Sequence, residues 1–451
     1  MSTTTKESCC SSVPSHQPSV AKYRTVSKKV LAVTSLTAGL TMITVCSSTH
    51  ATEESRALYT LEEIVRLTLE HNPVIAGAQG TIDQQRGHQT AAGAYPNPSI
   101  TGNAGYGEIR DAGRADIQNQ LTRQSITEYN MTIGQPVEWP AMRAARQRAA
   151  DAGVATANAG FAEVRLNLIA QLKMAFYDLL LAQQGANLAR QNLEIVEGVG
   201  RIVKARVKSG EAPQFEAIKA EVEVLKARQL LVRADNSVRI NRVVLDTFTG
   251  GKLGLSYSVE GEFAGMPKEI QIDSLMSRML NQHPTLQRLL QSVEQSEWKV
   301  EFERQSRVPS VTVNGSYWRE IGREAFQGGL SIPTPLWYRR QGEIASALGS
   351  KRREEAELLR ARNELVRTVH QYYQDARTTA ELIEVFDKGL LKQAQEALRL
   401  AQFSFQQGAS SLLDVFDAQR VQRQIQMDYA QARYELSVSL ARLERAVGGP
   451  L

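Results

Sequence analysis

The stretch TLEEIVRLTLEHNPVI, residues 60–75, has a second version in IDSLMSRMLNQHPTLQ, residues 272–287. Pro73 meets Pro284 at an offset of 211. The same offset carries Pro98-Ser-Ile-Thr-Gly-Asn103 onto Pro309-Ser-Val-Thr-Val-Asn314, and Tyr106 onto Tyr317. Further along the offset falls to 197 for Pro136 and Pro333, and is 198 for Gly210 and Gly408, Ala220 and Ala418, and Gly250 and Gly448. Matching blocks in one order mean an internal duplication, and the repeat therefore sets the fold. The expected division is a leader at 1–51, a first repeat at 52–250, an inter-repeat linker at 251–270 and a second repeat at 271–451.

Each half reads as the same series. Residues 60–92 have helical spacing at Leu61, Ile64, Val65 and Leu69, and Thr60 with Glu63 is a capping box. Two strands are expected next, Ser99–Tyr106 and Ile126–Gln135, separated by a polar loop, Gly107–Ser125. Their counterparts are Ser310–Arg319 and Ala325–Ile332, with a loop at Glu320–Glu324. At about 8–10 residues each, such strands suit a tilted bilayer crossing. Ala141–Lys208 then has no interior proline, and neither does its partner, Arg339–Gln407. In the latter, Leu365, Val369, Tyr372, Ala376, Ile383, Phe386, Leu390, Ala394, Ala397, Ala401 and Phe405 mark a coiled-coil seam. Sixty-eight helical residues make a rod of roughly 100 Å, too long for an ordinary globular domain. Each rod turns at a glycine, Gly210 or Gly408, and a shorter helix returns over Gln214–Phe248 or Leu412–Val447. The helices before the strands and after the turn together match one long rod in length, so they can lie end to end along it.

Composition narrows the class. The chain has 451 residues, 42% hydrophobic and 22% charged, which excludes global disorder. The net charge of +5 does not mark a nucleic-acid binder. Residues 1–51 carry Lys6, Lys22, Arg24, Lys28 and Lys29 against Glu7, leaving the rest with 48 basic and 47 acidic residues. Lys28-Lys29, the apolar run Val30–Val45 and Ser47-Ser-Thr-His-Ala51 form an export signal with a cleavage site after Ala51. Cys9, Cys10 and Cys46 all lie in this leader, so the mature chain has no disulfide or thiolate chemistry; Cys46 is a candidate lipidation site. His71, His88, His283 and His370 are scattered, and His283 reads as a turn residue. No HExxH, P-loop, GxGxxG or GxSxG is present. The expectation is no enzyme activity, no catalytic or metal-binding residues and no cofactor, with energy supplied by a partner.

The duplicated strand–strand–long helix–turn–helix order, the Asn72-Pro73 and His283-Pro284 elements, Tyr95-Pro-Asn-Pro98 and above all Gly408-Ala-Ser-Ser-Leu-Leu-Asp-Val-Phe-Asp-Ala418 resemble the outer membrane factor family, the TolC-like efflux channels. Tyr95-Pro-Asn-Pro98 and Gln135-Pro136 look most like the heavy-metal cation branch. The resemblance implies a mixed α/β membrane protein. Three chains, four strands each, would close a 12-stranded β-barrel continuous with a periplasmic α-helical coiled-coil barrel. Implied partners are two further copies in a homotrimer, a periplasmic adaptor, an inner-membrane pump of RND type and outer-membrane lipid, with no nucleic acid. The implied pore and gate residues are Asp414, Asp417, Glu216 and Phe405, with mutually repelling carboxylates whose pKa values rise. The implied adaptor-docking tip is Gly210, Pro213, Gly408, Ser410 and Ser411. Ser410 stands where the family can have a gate-tying arginine, which puts that link in doubt, and Phe405 stands in place of a tyrosine. A type I secretion channel and a periplasmic coiled-coil adaptor are the alternative readings.

Overall fold

The computed structural model describes residues 57–110, 123–267, 271–320 and 323–451. In the first half, β1 (Ala57–Tyr59), α1 (Leu61–His71) and α2 (Pro73–Gly93) lead to β2 (Ser99–Arg110) and β3 (Arg123–Val137), then to α3 (Pro140–Lys208) and α4 (Gln214–Phe248). A short strand, β4 (Tyr257–Val259), precedes the second half. There α5 (Ile272–Gln282), α6 (Pro284–Gln305), β5 (Val311–Glu320) and β6 (Arg323–Ser331) lead to α7 (Gln341–Val385), a π-helical turn (Phe386–Leu390), α8 (Leu391–Gln406) and α9 (Leu412–Val447). The export leader, the Cys46 site and most of the first strand–strand loop lie outside the described residues.

The stretch expected as one helix over 60–92 is two, because Pro73 lacks an amide donor and restricts the residue before it. The Thr60–Glu63 capping box forms at the start of α1. At the break, Asn72 caps α2 through Oδ1, which accepts from Val74 N at 2.9 Å, while Nδ2 donates to Phe248 O at 2.8 Å. His283 does both jobs in the second half. Its Nδ1 accepts from Thr285 N at 3.2 Å, and its Nε2 lies 3.1 Å from Arg445 O. These bonds fix the neutral ring with its proton on Nε2. The partner helix comes this close because it ends in glycine. A Cβ on Gly448, at φ 97°, would sit 3.1 Å from His283 Cα, and one on Gly250, at φ 67°, 3.2 Å from His71 O.

Strands β2-β3-β5-β6 form one antiparallel sheet in that order. The β2–β3 ladder runs from Ser99↔Gly134 to Arg110↔Arg123, so both strands outrun the expected boundaries and leave only 111–122 between them. The β5–β6 ladder likewise reaches Glu320↔Arg323. A hairpin can continue past the bilayer at no cost in unpaired backbone groups, which hydropathy at a membrane crossing does not reveal.

Helices α2 and α4 both pack along α3, and α6 and α9 pack along α7, as the length arithmetic expects. α3 is 69 residues without a break. Its counterpart starts at Gln341 rather than Arg339 and is interrupted by the π-turn, where Gly389 has φ 156°. The burial pattern explains the interruption. Above it, Leu172, Leu179 and Ala182 match Val369, Ala376 and Thr379 at an offset of 197; below it, Val196 and Gly200 match Ala394 and Leu398 at 198. The second rod therefore holds one extra residue. A π-turn absorbs a one-residue insertion without rotating the helix below it out of phase with its core.

The inter-repeat linker carries structure that was not expected of it. β4 pairs in parallel with β1, and Tyr257, Val259 and Phe263 join a core around Phe176, Leu172 and Leu179. Tyr257 is fully buried and donates its hydroxyl to Arg242 O at 2.7 Å. No helix among the described residues is long and apolar enough to cross a membrane.

Candidate functional site

Two parts of the molecule are built for function: the faces of the four-stranded sheet, and the paired turns at the far end of the long helices. On the sheet, the ladder puts Ile100, Tyr106, Tyr129, Met131, Ile133, Val313, Tyr317, Phe326 and Leu330 on one face. Ile100, Tyr106, Met131, Phe326 and Leu330 are all more than half exposed. The other face carries Thr101, Asn103, Asn130, Thr132, Asn314, Ser316 and Gln327. Apolar residues out and polar residues in, at a period of two, is the pattern of a barrel wall between lipid and water. The edge strands β2 and β6 have no partner on their outer sides in this sheet. Such edges need further strands, because an unpaired edge in lipid leaves backbone donors and acceptors unsatisfied.

At the other end, α3 and α8 finish in the same way. Gly210 and Gly408 have φ 81° and 75°. Gly210 N donates to Val207 O at 3.2 Å and Glu211 N to Arg206 O at 2.9 Å; Gly408 N donates to Phe405 O at 3.0 Å and Ala409 N to Ser404 O at 2.9 Å. These are two Schellman ends, and glycine is favoured because its φ is positive. Pro213 is the N-cap of α4 and Ser411 that of α9. Ser410 Oγ donates to Ala401 O at 3.3 Å. Beneath the turns one core gathers all four helices, with Val196, Val199 and Val203, Ala217 and Ala220, Phe405, and Leu412, Val415 and Phe416.

The acidic residues at this end have distinct settings. Asp414 completes a capping box: its Oδ2 accepts from Ser411 N at 2.9 Å and Ser411 Oγ at 2.8 Å. The backbone bond and then the hydroxyl bond from Ser411 hold its carboxyl below the ordinary value. Asp417 pairs with Arg420 at 3.1 Å, one turn along. Asp414 and Asp417 are exposed, on the side of α9 away from the buried Leu412, Val415 and Phe416. Glu216 is half-buried in the first turn of α4. Phe405 is only 4% exposed and faces the core between helices rather than open space. Its seam spacing records that burial.

The tip also has a link that sequence reading did not single out. Arg206, in the last turn of α3, donates Nη2 to Gln406 O at 3.0 Å and lies 4.8 Å above the Phe405 ring. It thus ties the end of one hairpin to the end of the other, although Ser410 supplies no guanidinium. The available signal was a basic residue four before the tip glycine, where it can meet orphan helix carbonyls. Among the described residues, no group of three or more His, Cys, Asp or Glu is placed to hold a metal ion.

Comparison with known proteins agrees with this plan. Residues 64–251 and 275–449 match the family described as outer membrane efflux protein, one segment in each repeat. The cobalt-zinc-cadmium resistance protein CzcC of Cupriavidus metallidurans is 25% identical over 88% of this chain and 91% of its own. Among solved structures, a membrane protein from Pseudomonas aeruginosa superposes with a TM-score of 0.73 at 17% identity, over 86% of this chain and 90% of that one. The CmeC outer membrane channel of Campylobacter jejuni does so with 0.72 at 15%, over 86% and 85%. With the match running through both repeats, and the two-faced sheet set at one end of the long helices, the chain belongs to the outer membrane efflux protein family.

Proposed function

We propose that this chain is the outer-membrane channel of a tripartite efflux system whose cargo is heavy-metal cations. It is a transport protein, not an enzyme. The observation that carries the channel reading is the four-stranded sheet, apolar on one face and polar on the other, with both edges open. Three copies supply twelve strands and close those edges. The exposed apolar stripe Phe215, Ile218, Val222, Leu225 and Val232 on α4 supports the same homotrimer, because its steps of three, four and seven residues fit a helix of another copy. A periplasmic adaptor docks at the turns holding Gly210, Pro213, Gly408, Ser410 and Ser411, and an inner-membrane RND pump supplies the energy.

The cation reading rests on the likeness to CzcC and on the carboxylates of Asp414, Asp417 and Glu216 close behind the tip. In a trimer, rings of such groups raise the local cation concentration at the entrance. The Ser411 bonds favour the ionised form of Asp414 within one chain. The test is reconstitution in planar bilayers beside Asp414→Ala/Asp417→Ala. The double variant should lose cation preference and block by multivalent cations. Unchanged selectivity and block would remove the ring and leave Asp414 as a helix cap only. In cells, loss of the gene together with unchanged cobalt, zinc and cadmium tolerance would break the cargo assignment without touching the channel reading.

A further inference from the structure

Just below the π-turn, α3, α8 and α9 line an open cleft of about 420 Å³. Carboxamides converge on it from all three helices: Gln184 and Asn187, Gln395, and Gln422 and Gln426. Gln184, Gln395, Gln422 and Gln426 have no hydrogen-bond partner among the described residues. Two other glutamines on α9 are paired with carboxylates instead, Gln424 with Asp428 at 2.8 Å and Gln431 with Glu435 at 2.9 Å. No charged side chain lines the cleft.

The duplication supplies the control. At an offset of 198, Gln395 and Gln426 correspond to Glu197 and Arg228, which form a 2.8 Å ion pair between α3 and α4. In the second repeat the same two positions are neutral and unpaired. Where the first repeat has Leu231, the second has Tyr429, a half-buried ring on the cleft wall. The π-turn flanks that ring, with the Phe386 ring centred 5.7 Å from it. The departure from the repeat is thus local. An ion pair is replaced by free amides, and an aromatic face is added beside the one-residue insertion.

We infer that this cleft is a binding site for a neutral saccharide bearing hydroxyl and acetamido groups. Each carboxamide offers a donor pair and an acceptor, which suits groups that both give and accept hydrogen bonds. The tyrosine ring offers a flat apolar face for the C–H side of a pyranose, and Leu188 and Ile425 a place for an acetyl methyl. A metal cation is disfavoured here, since hard cations need carboxylates that the cleft lacks. The volume falls within the range of small-ligand clefts. The source is either a soluble fragment or a strand of a polymer in the space the helices cross.

The test uses the full-length trimer in nanodiscs, with chitotriose as the probe and saturation-transfer NMR as the readout. Saturable binding is expected, with maltotriose, which lacks acetamido groups, binding more weakly. Gln395→Glu/Gln426→Arg recreates the ion pair of the first repeat, and should keep the trimer intact while weakening chitotriose binding by at least about tenfold. Gln422→Leu is expected to act in the same direction. Retention on purified cell-wall sacculi, lost in the double variant, would identify the polymer as the source; soluble binding without retention would identify the fragment. Absence of binding to both, or equal binding by wild type and double variant, overturns the site. Neither result bears on conductance, so the channel reading stands or falls separately.

Discussion

The two long rods have one ancestry and different construction. α3 runs unbroken from Pro140 to Lys208, while its counterpart carries an extra residue at Phe386–Leu390 and opens into a π-turn there. Core positions above and below that turn stay in register with those of α3. The difference shows that burial, not backbone regularity, is what the fold preserves. A rod packed along most of its length cannot rotate one side, so an inserted residue has to be absorbed where it arises.

The sharpest way to break this comparison is a pair of deletions. Removing Gln191 from α3 should turn Val196, Val199 and Val203 away from the tip core, costing about 5 kcal/mol at roughly 1.5–3 kcal/mol per side chain. Removing Gly389 should restore a continuous helix and change stability by no more than about 1 kcal/mol. Heat-resistant trimer on gels and thermal melts by circular dichroism would measure both. Equal damage from the two deletions would refute the insertion account.

Truncation at the tip comes next. Phe405→Ala should cost about 3–5 kcal/mol for a buried aromatic. Val207→Ala, at the equivalent and only partly buried position, should cost about 1 kcal/mol. A Phe405 variant as stable as wild type, with altered conductance instead, would return that ring to the pore.

A smaller effect is expected from Arg206→Ala, which removes one hydrogen bond and one cation–π contact. A loss of about 1–2 kcal/mol is expected. Because the link joins the two hairpin ends, single-channel recordings should show more frequent opening at the tip. Identical gating would make Arg206 a packing residue.

The subtlest contrast lies between Asn72 and His283, which cap equivalent helices. Burial pushes the His283 pKa below its usual value, opposed by the bond to the Arg445 carbonyl and by Glu163, and aided by the charge of Arg445. A histidine depressed on folding contributes stability above its unfolded pKa and loses it as pH falls through the folded one. Acidification below about pH 6.5 should therefore loosen the second repeat while Asn72, which does not titrate, holds the first. His283→Asn should flatten the pH dependence of the melting temperature. A variant that remains as acid-sensitive as wild type would place the titrating group elsewhere.

Much of this architecture is written locally. The Thr60–Glu63 box, the prolines at 73 and 284, and the glycines at 210, 408 and 448 each act through neighbours a few residues away. For that reason the sequence by itself determined the duplication, the glycine-ended helix turns, and the order of the four sheet strands β2, β3, β5 and β6. Long-range proximity decided the rest. The spacing of Phe405 marks a seam, but its burial rests on Val203 and Phe416 sharing one core with it. Arg206 bridges to a carbonyl 200 positions away, and β1 finds β4 across the whole first repeat. The change of offset from 197 to 198 could be counted in the sequence, but only packed helices show where the extra residue goes. A one-residue insertion is placed by which side chains can stay buried, and that is a property of the facing helices.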